Sequence, residues 1–592
     1  MANHNHTPEQ IAGDFTAFER KVHAALPATE IIYISMRKHT VLVVTMATAA
    51  ISMFILSSHL MGAERFGKSA LTGQVRSIEE GPMEGVLVSA RQEGSTVTIT
   101  VVSDEQGRYS FPSTNVAPGR YAIRIRAVGY DLDGPKAVEI GADKTATADL
   151  ELRKAANIAG QLTDAEWLAS IPGTENQKQQ LLGCTNCHTL ERTLRSTHDA
   201  EAFMGVLERM ASYANQSFPP HPQKRVSAPN LTRRFGAGTE DLAKYLASVN
   251  LSSGPVWSYS LKTLPRPTGA STRVIITEYD LPRKTIEPHD VVVDPAGAVW
   301  FSNFGEQFLG RLDPKTAKVT EYPVPLIRPG FPTGMLDLET DQEGNLWLSM
   351  MYQGGIARFD KKTGTFKTWT VPPEFTNNET QQSMVGPQHW EVDGKVWLND
   401  AGGATAVYRM DMATGAFEKW TPYKDLPPGP HSVYGIYADS KNNLFFLDFG
   451  GESVGKIDAK TGKLTLFPTP TPRSRPRRGR MDAQDRLWFG EFYGGKIGMF
   501  DTKTEKFQEW AVPTPHTAPY DVVLDKNGEV WGAGMEADRI MRMDPRTGHV
   551  TEYLLPRQTN IRRIFVDNST TPVTFWVGNN ESASIIKLEP FR

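Results

Sequence analysis

The chain has 592 residues, with 39% hydrophobic and 22% charged residues and a formal net charge of −3. That balance excludes a chain disordered by composition or made of many membrane spans, and it leaves no global attraction for nucleic acid. Fifty glycines and forty prolines favour many short strands joined by tight turns, and two cysteines only three positions apart exclude a disulfide framework.

Residues 1–35 carry no clear pattern. Met36-Arg37-Lys38-His39 then leads into an apolar stretch from Val41 to Leu56, continued to Ala63. A positive segment before such a stretch is the layout of a secretory leader. Two outcomes stay open: cleavage after Ala63, although Met61 is large for the −3 position, or retention of residues 41–63 as an inner-membrane anchor long enough to span a bilayer. Both place the remainder in the periplasm or further outside, and only the anchor would meet a membrane.

Residues 66–153 read as strands: Val97–Val102, Arg108–Phe111 and Tyr121–Arg126 alternate or are β-branched, with turns at Asp104–Gly107 and Pro118-Gly119. The order Gly73-Gln74-Val75, Val86-Leu87-Val88, Gly107–Phe111, Gly119-Arg120-Tyr121 and Gly129-Tyr130 resembles the carboxypeptidase-regulatory-like (transthyretin-like) β-sandwich. The resemblance implies an accessory domain.

Residues 160–251 switch to helical periodicity over Glu175–Leu182, Asp199–Tyr213 and Asp241–Val249, predicting a small all-α domain. It carries Cys184-Thr185-Asn186-Cys187-His188. Two thiols three apart followed by an imidazole are what covalent haem c attachment requires: the thiols add to the vinyl groups and His188 reaches the iron. A zinc site would need two further ligands, and no second Cys pair or spaced His pair follows. A thioredoxin-like pair would expect a βαβ context. The expectation is a cytochrome c domain with one haem and a periplasmic redox partner. For the sixth ligand, Met210 in Leu207-Glu208-Arg209-Met210 resembles the Arg-Met position of short bacterial cytochromes c, which close on a helix like Lys244-Tyr245-Leu246. Met204, His198 and His221 compete with it. Residues 252–272 read as a linker.

From 273 to 592 the chain repeats. An aromatic strand core recurs at Trp300, Trp347, Trp397, Phe445, Trp488, Trp531 and Trp576, and a basic-apolar-Asp turn follows at Arg311-Leu312-Asp313, Arg358-Phe359-Asp360, Arg409-Met410-Asp411, Lys456-Ile457-Asp458 and Arg542-Met543-Asp544. That spacing is one four-stranded propeller blade. The seventh repeat stops at Lys587-Leu588, and its missing outer strand stands at Ile276–Pro282. The fold class is therefore multidomain and mainly β: a sandwich, a small helical domain and a seven-bladed β-propeller closed by an N-terminal strand.

The blade text, Asp294–Phe301, Gly310–Asp313 and Thr320–Pro325, resembles the streptogramin B (virginiamycin B) lyase family. That family opens a lactone by elimination, with Mg²⁺ on two Glu and a His base in a Glu-Pro-His-Gly segment. Here Glu287-Pro288-His289 lies in the first blade, and Asn303-Phe304 stand where a second Glu would be needed. At the blade that matches by order, Ala518-Pro519-Tyr520 replaces Glu-Pro-His while Glu536 remains, and Arg477 replaces a substrate-binding His. The set is incomplete in both registers, and Mg²⁺ is not the cofactor expected.

The residue after the recurring Pro is expected to face the channel: His289, Thr333, Gln388, His431, Arg477 and Tyr520, with Arg562 in the seventh blade. His289, His431 and Tyr520 are the catalytic candidates. Arg477, Arg562, Gln388 and Thr333 are the ligand-binding candidates, for a small carboxylate or phosphate compound in the mouth. Asp400, Asp448 and Glu491, three residues past their aromatic, read either as cation ligands or as turn caps. Three functions compete: haem-dependent electron transfer to a partner or to a propeller-bound substrate, elimination of the streptogramin lyase type, and non-catalytic recognition of an extracellular ligand.

Overall fold

Four of the blades share a local turn that is set before packing. Asp294, Asp341, Asp482 and Asp525 stand six residues before Trp300, Trp347, Trp488 and Trp531. In each turn the Asp Oδ1 accepts backbone N–H groups of the following residues. Its Oδ2 accepts the indole N–H of the Trp, at 2.8, 2.9, 2.9 and 3.0 Å respectively. One carboxylate thus closes the turn and gives a buried indole its hydrogen-bond partner.

The computed structural model describes residues 68–236, 238–387, 392–402, 405–427 and 429–591. The expected leader or anchor and Gln388 lie outside the described residues. Among the described residues no helix is long and apolar enough to cross a membrane.

The propeller has seven four-stranded antiparallel blades. Six run in chain order, beginning at Pro288, Leu338, Val385, Val433, Pro476 and Pro519. The seventh combines Ile561–Asp567, Thr574–Asn579 and Ser584–Pro590 with Val274–Asp280, where Ile276 lies opposite Leu588. This is the closure expected from the repeat. In the second and third strands, glycine faces phenylalanine: Phe446 lies opposite Gly455, and a Cβ there would sit 1.9 Å from the ring.

Adjacent blades are tied near the axis by carboxylates. Asp290, Asp337 and Asp521 accept the backbone N–H of Leu338, Val385 and Ile564 in the next blade, at 3.0, 2.9 and 3.0 Å. Arg478, 0% exposed, crosses the axis from the fifth blade with two 2.9 Å bonds to Asp290 and one of 2.6 Å to Asp337. Arg563 adds Asp290 at 3.4 Å and Glu339 at 2.8 Å. Burial opposes a charge on Asp290, but the two guanidinium groups and His289 hold it well below the usual carboxylate range.

The sandwich stacks two sheets around Leu71, Val88, Phe111 and Leu150. One sheet holds Ser69–Ser77, Gly81–Pro82, Arg108–Pro112, Tyr130–Gly134, Ala146–Thr147 and Leu150–Lys154. The other, Leu87–Gln92, Val97–Val102, Gly119–Arg126 and Ala137–Ile140, does not end at the domain boundary. Val97–Val102 pairs antiparallel with Val274–Asp280, Ile276 opposite Thr100, so sandwich and seventh blade share one eight-stranded sheet.

Among the described residues, six α-helices lie between them in the chain: α1 (Asp164–Ser170), α2 (Glu175–Leu181), α3 (Leu190–Leu194), α4 (Ala200–Ala211), α5 (Leu231–Phe235) and α6 (Thr239–Val249). Thr163 with Glu166 and Thr174 with Gln177 form capping boxes on α1 and α2, and Asp199 caps α4, which fixes where these helices begin. Trp167, Leu181, Leu190, Phe203, Leu207 and Leu246 form the core between them. The segment read as a linker is held in place. Trp257 packs edge-on against Trp167 at 5.2 Å and donates to the Leu194 carbonyl, and Tyr259 donates to the Val249 carbonyl.

Candidate functional site

Cys184, Cys187 and His188 follow α2 on a tight series of turns, with Cys187 N and His188 N directed at the Cys184 carbonyl. They line a cavity of about 340 Å³ whose other walls include Phe203, Val206, Leu207, Phe218 and Leu246. His188 Nδ1 lies 2.9 Å from the Thr189 carbonyl oxygen, which places the proton on Nδ1 and leaves Nε2 with a free lone pair. Burial lowers the His188 pKa, so the ring is neutral. Burial also pushes the Cys184 thiol up to about 12 and raises Cys187, so neither is primed as a nucleophile. Met210 and His198 line the same cavity, whereas Met204 and His221 do not. Among the described residues, no three His, Cys, Asp or Glu side chains converge as a metal site. The motif residues thus border a cavity of mixed lining, with Arg192, Arg209 and Arg234 among its walls; they do not meet at a point as zinc ligands would.

The two residues between the cysteines point the other way, into the propeller. Thr185 Oγ1 donates to Glu536 Oε1 at 2.9 Å, and Asn560 Nδ2 donates to the Thr185 carbonyl at 2.6 Å. Arg562 donates to the Asn186 carbonyl at 2.8 Å, and Arg477 reaches Asn186 Oδ1 at 3.3 Å. Arg477 is otherwise boxed by the rings of Tyr520, Phe449, Phe492 and Tyr434, at 4.1, 4.4, 4.4 and 5.4 Å. Around the rim, Gln223 bonds Thr333 and the Gly305 carbonyl, Arg225 pairs with Glu379, and Tyr493 donates to the Gln179 carbonyl. The helical unit is therefore a cap on the propeller face.

This corrects the expected open mouth. Arg477, Tyr520 and Arg562 do share one arc, but they are 4%, 0% and 3% exposed, and Thr333 faces Gln223. The reason is packing: the Thr185-Asn186 dipeptide takes the guanidinium hydrogen bonds that a ligand was expected to take. Of the catalytic candidates, His289 and Tyr520 meet. His289 Nδ1 is 2.6 Å from Asp290, its Nε2 is 3.5 Å from the Tyr520 hydroxyl, and that hydroxyl is 2.6 Å from Tyr434. Burial pushes His289 down to about 3, leaving it neutral. His431 stands apart, 2.7 Å from Asp448 and stacked flat on Tyr423 at 4.2 Å. Asp400 and Asp448 cap turns by accepting the backbone N–H groups of Gln381 and Gly402, and of Ser432 and Gly451. Glu287 is buried with Oε2 unpartnered, and burial raises its pKa well above the usual range.

Glu536, Asn560 and the Thr185-Asn186 pair are the site residues that sequence reasoning missed as a group. The signal available was a polar dipeptide inside the cysteine motif, beside a propeller ring rich in arginine.

The fold and site define a seven-bladed β-propeller capped by a helical unit bearing a Cys-x-x-Cys-His cavity. Residues 431–590 match the virginiamycin B lyase family, and residues 70–153 match the carboxypeptidase regulatory-like domain. The propeller is thus virginiamycin B lyase-like and the sandwich carboxypeptidase regulatory-like. Among solved structures, a streptogramin B lyase is 24% identical, covering 55% of this chain and 100% of its own (TM-score 0.46). Virginiamycin B lyase from Staphylococcus aureus is 24% identical over 54% of this chain and 100% of its own (TM-score 0.45). The extracellular domain of a one component system from B. thetaiotaomicron is 17% identical over 51% of this chain and 40% of its own (TM-score 0.39). No curated protein matches the chain.

Proposed function

We propose that the chain is an exported electron-transfer protein in which Cys184, Cys187 and His188 hold a covalent haem c and the propeller serves as its seat. The observation that carries this reading is the cavity: both thiols, a neutral imidazole with a free Nε2, and Met210 and His198 line one space. When bound, the group supplies a one-electron couple at its iron. The thiols of Cys184 and Cys187 provide the two attachment points, and Thr189 orients His188 through its carbonyl. Met210 or His198, on the same cavity wall, would be available as a second ligand, Met210 giving the higher potential. Phe203, Val206, Leu207, Phe218 and Leu246 would give the group apolar contact. Arg477, Arg562, Asn560 and Glu536 fix the intervening dipeptide, so the motif is anchored from its outer side as well. The electron partner is a protein met outside the cytoplasm, consistent with the leader expected to end at Ala63 or the anchor expected at 41–63.

Elimination chemistry lacks comparable support. Tyr520 and Arg477 stand at the positions where the lyase family has its histidines, and Thr185-Asn186 fill the mouth above them. The test is periplasmic expression with haem-maturation machinery, followed by haem staining of the denatured polypeptide. The expected outcome is haem that stays with the chain, and that is lost from Cys184→Ala/Cys187→Ala. Release of all haem from the denatured wild type would end this reading.

A further inference from the structure

The hydrogen bond from Thr185 to Glu536 joins the cysteine motif to a carboxyl group with an uncommon environment. Glu536 is 1% exposed, one oxygen is held by Thr185, and Oε2 has no partner at all. A buried carboxyl oxygen without a donor is costly when ionised and inexpensive when it carries a proton. The charges around it come from several elements. Arg477 and Arg562 approach from the fifth and seventh blades, and Asp538 from its own turn. Asp164 belongs to α1 and Glu581 to the last turn of the seventh blade. Tyr493 and Cys184 complete the surroundings. Asp538 is committed elsewhere: it pairs with Arg126 of the sandwich at 2.6 Å and accepts from Thr559.

We propose that Glu536 is the proton acceptor for electron uptake, binding one proton from solvent when the chain accepts one electron at the neighbouring haem site. The inference rests on the haem reading and deepens it. In a dry setting an added negative charge is little screened by water, so a buried group close by that is able to bind a proton responds to it. Glu536 is placed for that, because its hydrogen-bond donor Thr185 lies between the two attachment cysteines. The balance is one electron from a one-electron donor protein and one proton from water, converting the Glu536 carboxylate to the acid. The group is already poised, since burial pushes it up to about 7 against the lowering effects of Thr185, Arg477 and Arg562. Reduction nearby moves it further up, so between the oxidised and reduced values the potential falls as pH rises, and outside that window it is flat.

The test is spectroelectrochemical titration of the holoprotein across neutral pH, with redox-induced infrared difference spectra as a second readout. Within the window each tenfold change in proton activity shifts the potential by about 59 mV, the one-electron equivalent of a factor of ten. Glu536→Gln flattens that dependence and removes a protonated-carboxyl band from the difference spectrum. Thr185→Val keeps the band and moves the window to higher pH, because a bond to the charged form is lost. Haem staining of each denatured variant separates the two claims. Absence of covalent haem overturns the haem reading. Covalent haem with a pH-independent wild-type potential, or an unchanged slope and band in Glu536→Gln, overturns this inference alone.

Discussion

Replacing Arg478 by Met should disable the hub of the propeller while leaving its shape. Three carboxylates, Asp290, Asp337 and Glu339, face two guanidinium groups, Arg478 and Arg563, and the substitution leaves one. Asp290 loses both 2.9 Å bonds and keeps the Leu338 N–H, His289 and the longer Arg563 contact. Removing one partner of a buried ion cluster costs about 3–5 kcal/mol. At roughly 2 °C per kcal/mol for a large domain, the propeller transition should fall by about 6–10 °C. The pH dependence gives the sharper check. In the wild type Asp290 is held below its unfolded value, so its contribution is present above the unfolded pKa and lost as pH falls through the folded one. The variant lacks most of that contribution and gains relief when its carboxyls protonate. The gap between the two proteins should therefore be widest near neutral pH and narrow toward about pH 4–5. Thermal unfolding followed by circular dichroism across this range measures it, and adding Asp290→Asn and Asp337→Asn to the variant should recover part of the loss. A transition unchanged at neutral pH, or a gap that does not vary with pH, would refute the reasoning.

Gly455→Ala forces a methyl group into the Phe446 ring, and overpacking of that kind costs about 1–3 kcal/mol, visible as a lower urea midpoint. A wild-type midpoint would mean that the ring has room to move. Met210→Ala in the holoprotein should remove the Met-to-iron absorption band of the oxidised state and lower the potential. An unchanged spectrum assigns the sixth position to His198, the other candidate on the cavity wall.

The aromatic repeat made the propeller legible because it recurs once per blade, and four of its tryptophans, Trp300, Trp347, Trp488 and Trp531, are each tied to an Asp six residues earlier, a relation that is local and therefore visible. The closing strand was legible for a similar reason, since Ile276–Pro282 carries the outer-strand text that the last blade lacks. Its second partner was not, because pairing with Val97–Val102 depends on which sheet edge lies nearby and leaves no periodic mark. The run Arg473–Arg480 reads as a positive patch, yet strand alternation splits it. Arg477 is sent up to Asn186 and Arg478 down to Asp290, one to the cap and one to the axis. The cysteine motif carries the expectation of haem attachment, but which surface received Thr185 and Asn186 was a property of the assembled molecule.

The shared eight-stranded sheet also bears on the order in which a growing or translocating chain is able to assemble. Strand Val274–Asp280 emerges more than three hundred residues before its blade partner, Ser584–Pro590. A lone strand waiting that long would offer two bare edges to any neighbour. The sandwich is complete by then and receives one of those edges on Val97–Val102, with Arg91 fastening Asp280 at 2.6 Å. The sandwich thus serves as a template that keeps the first strand of the ring in register and half-covered until the last one arrives.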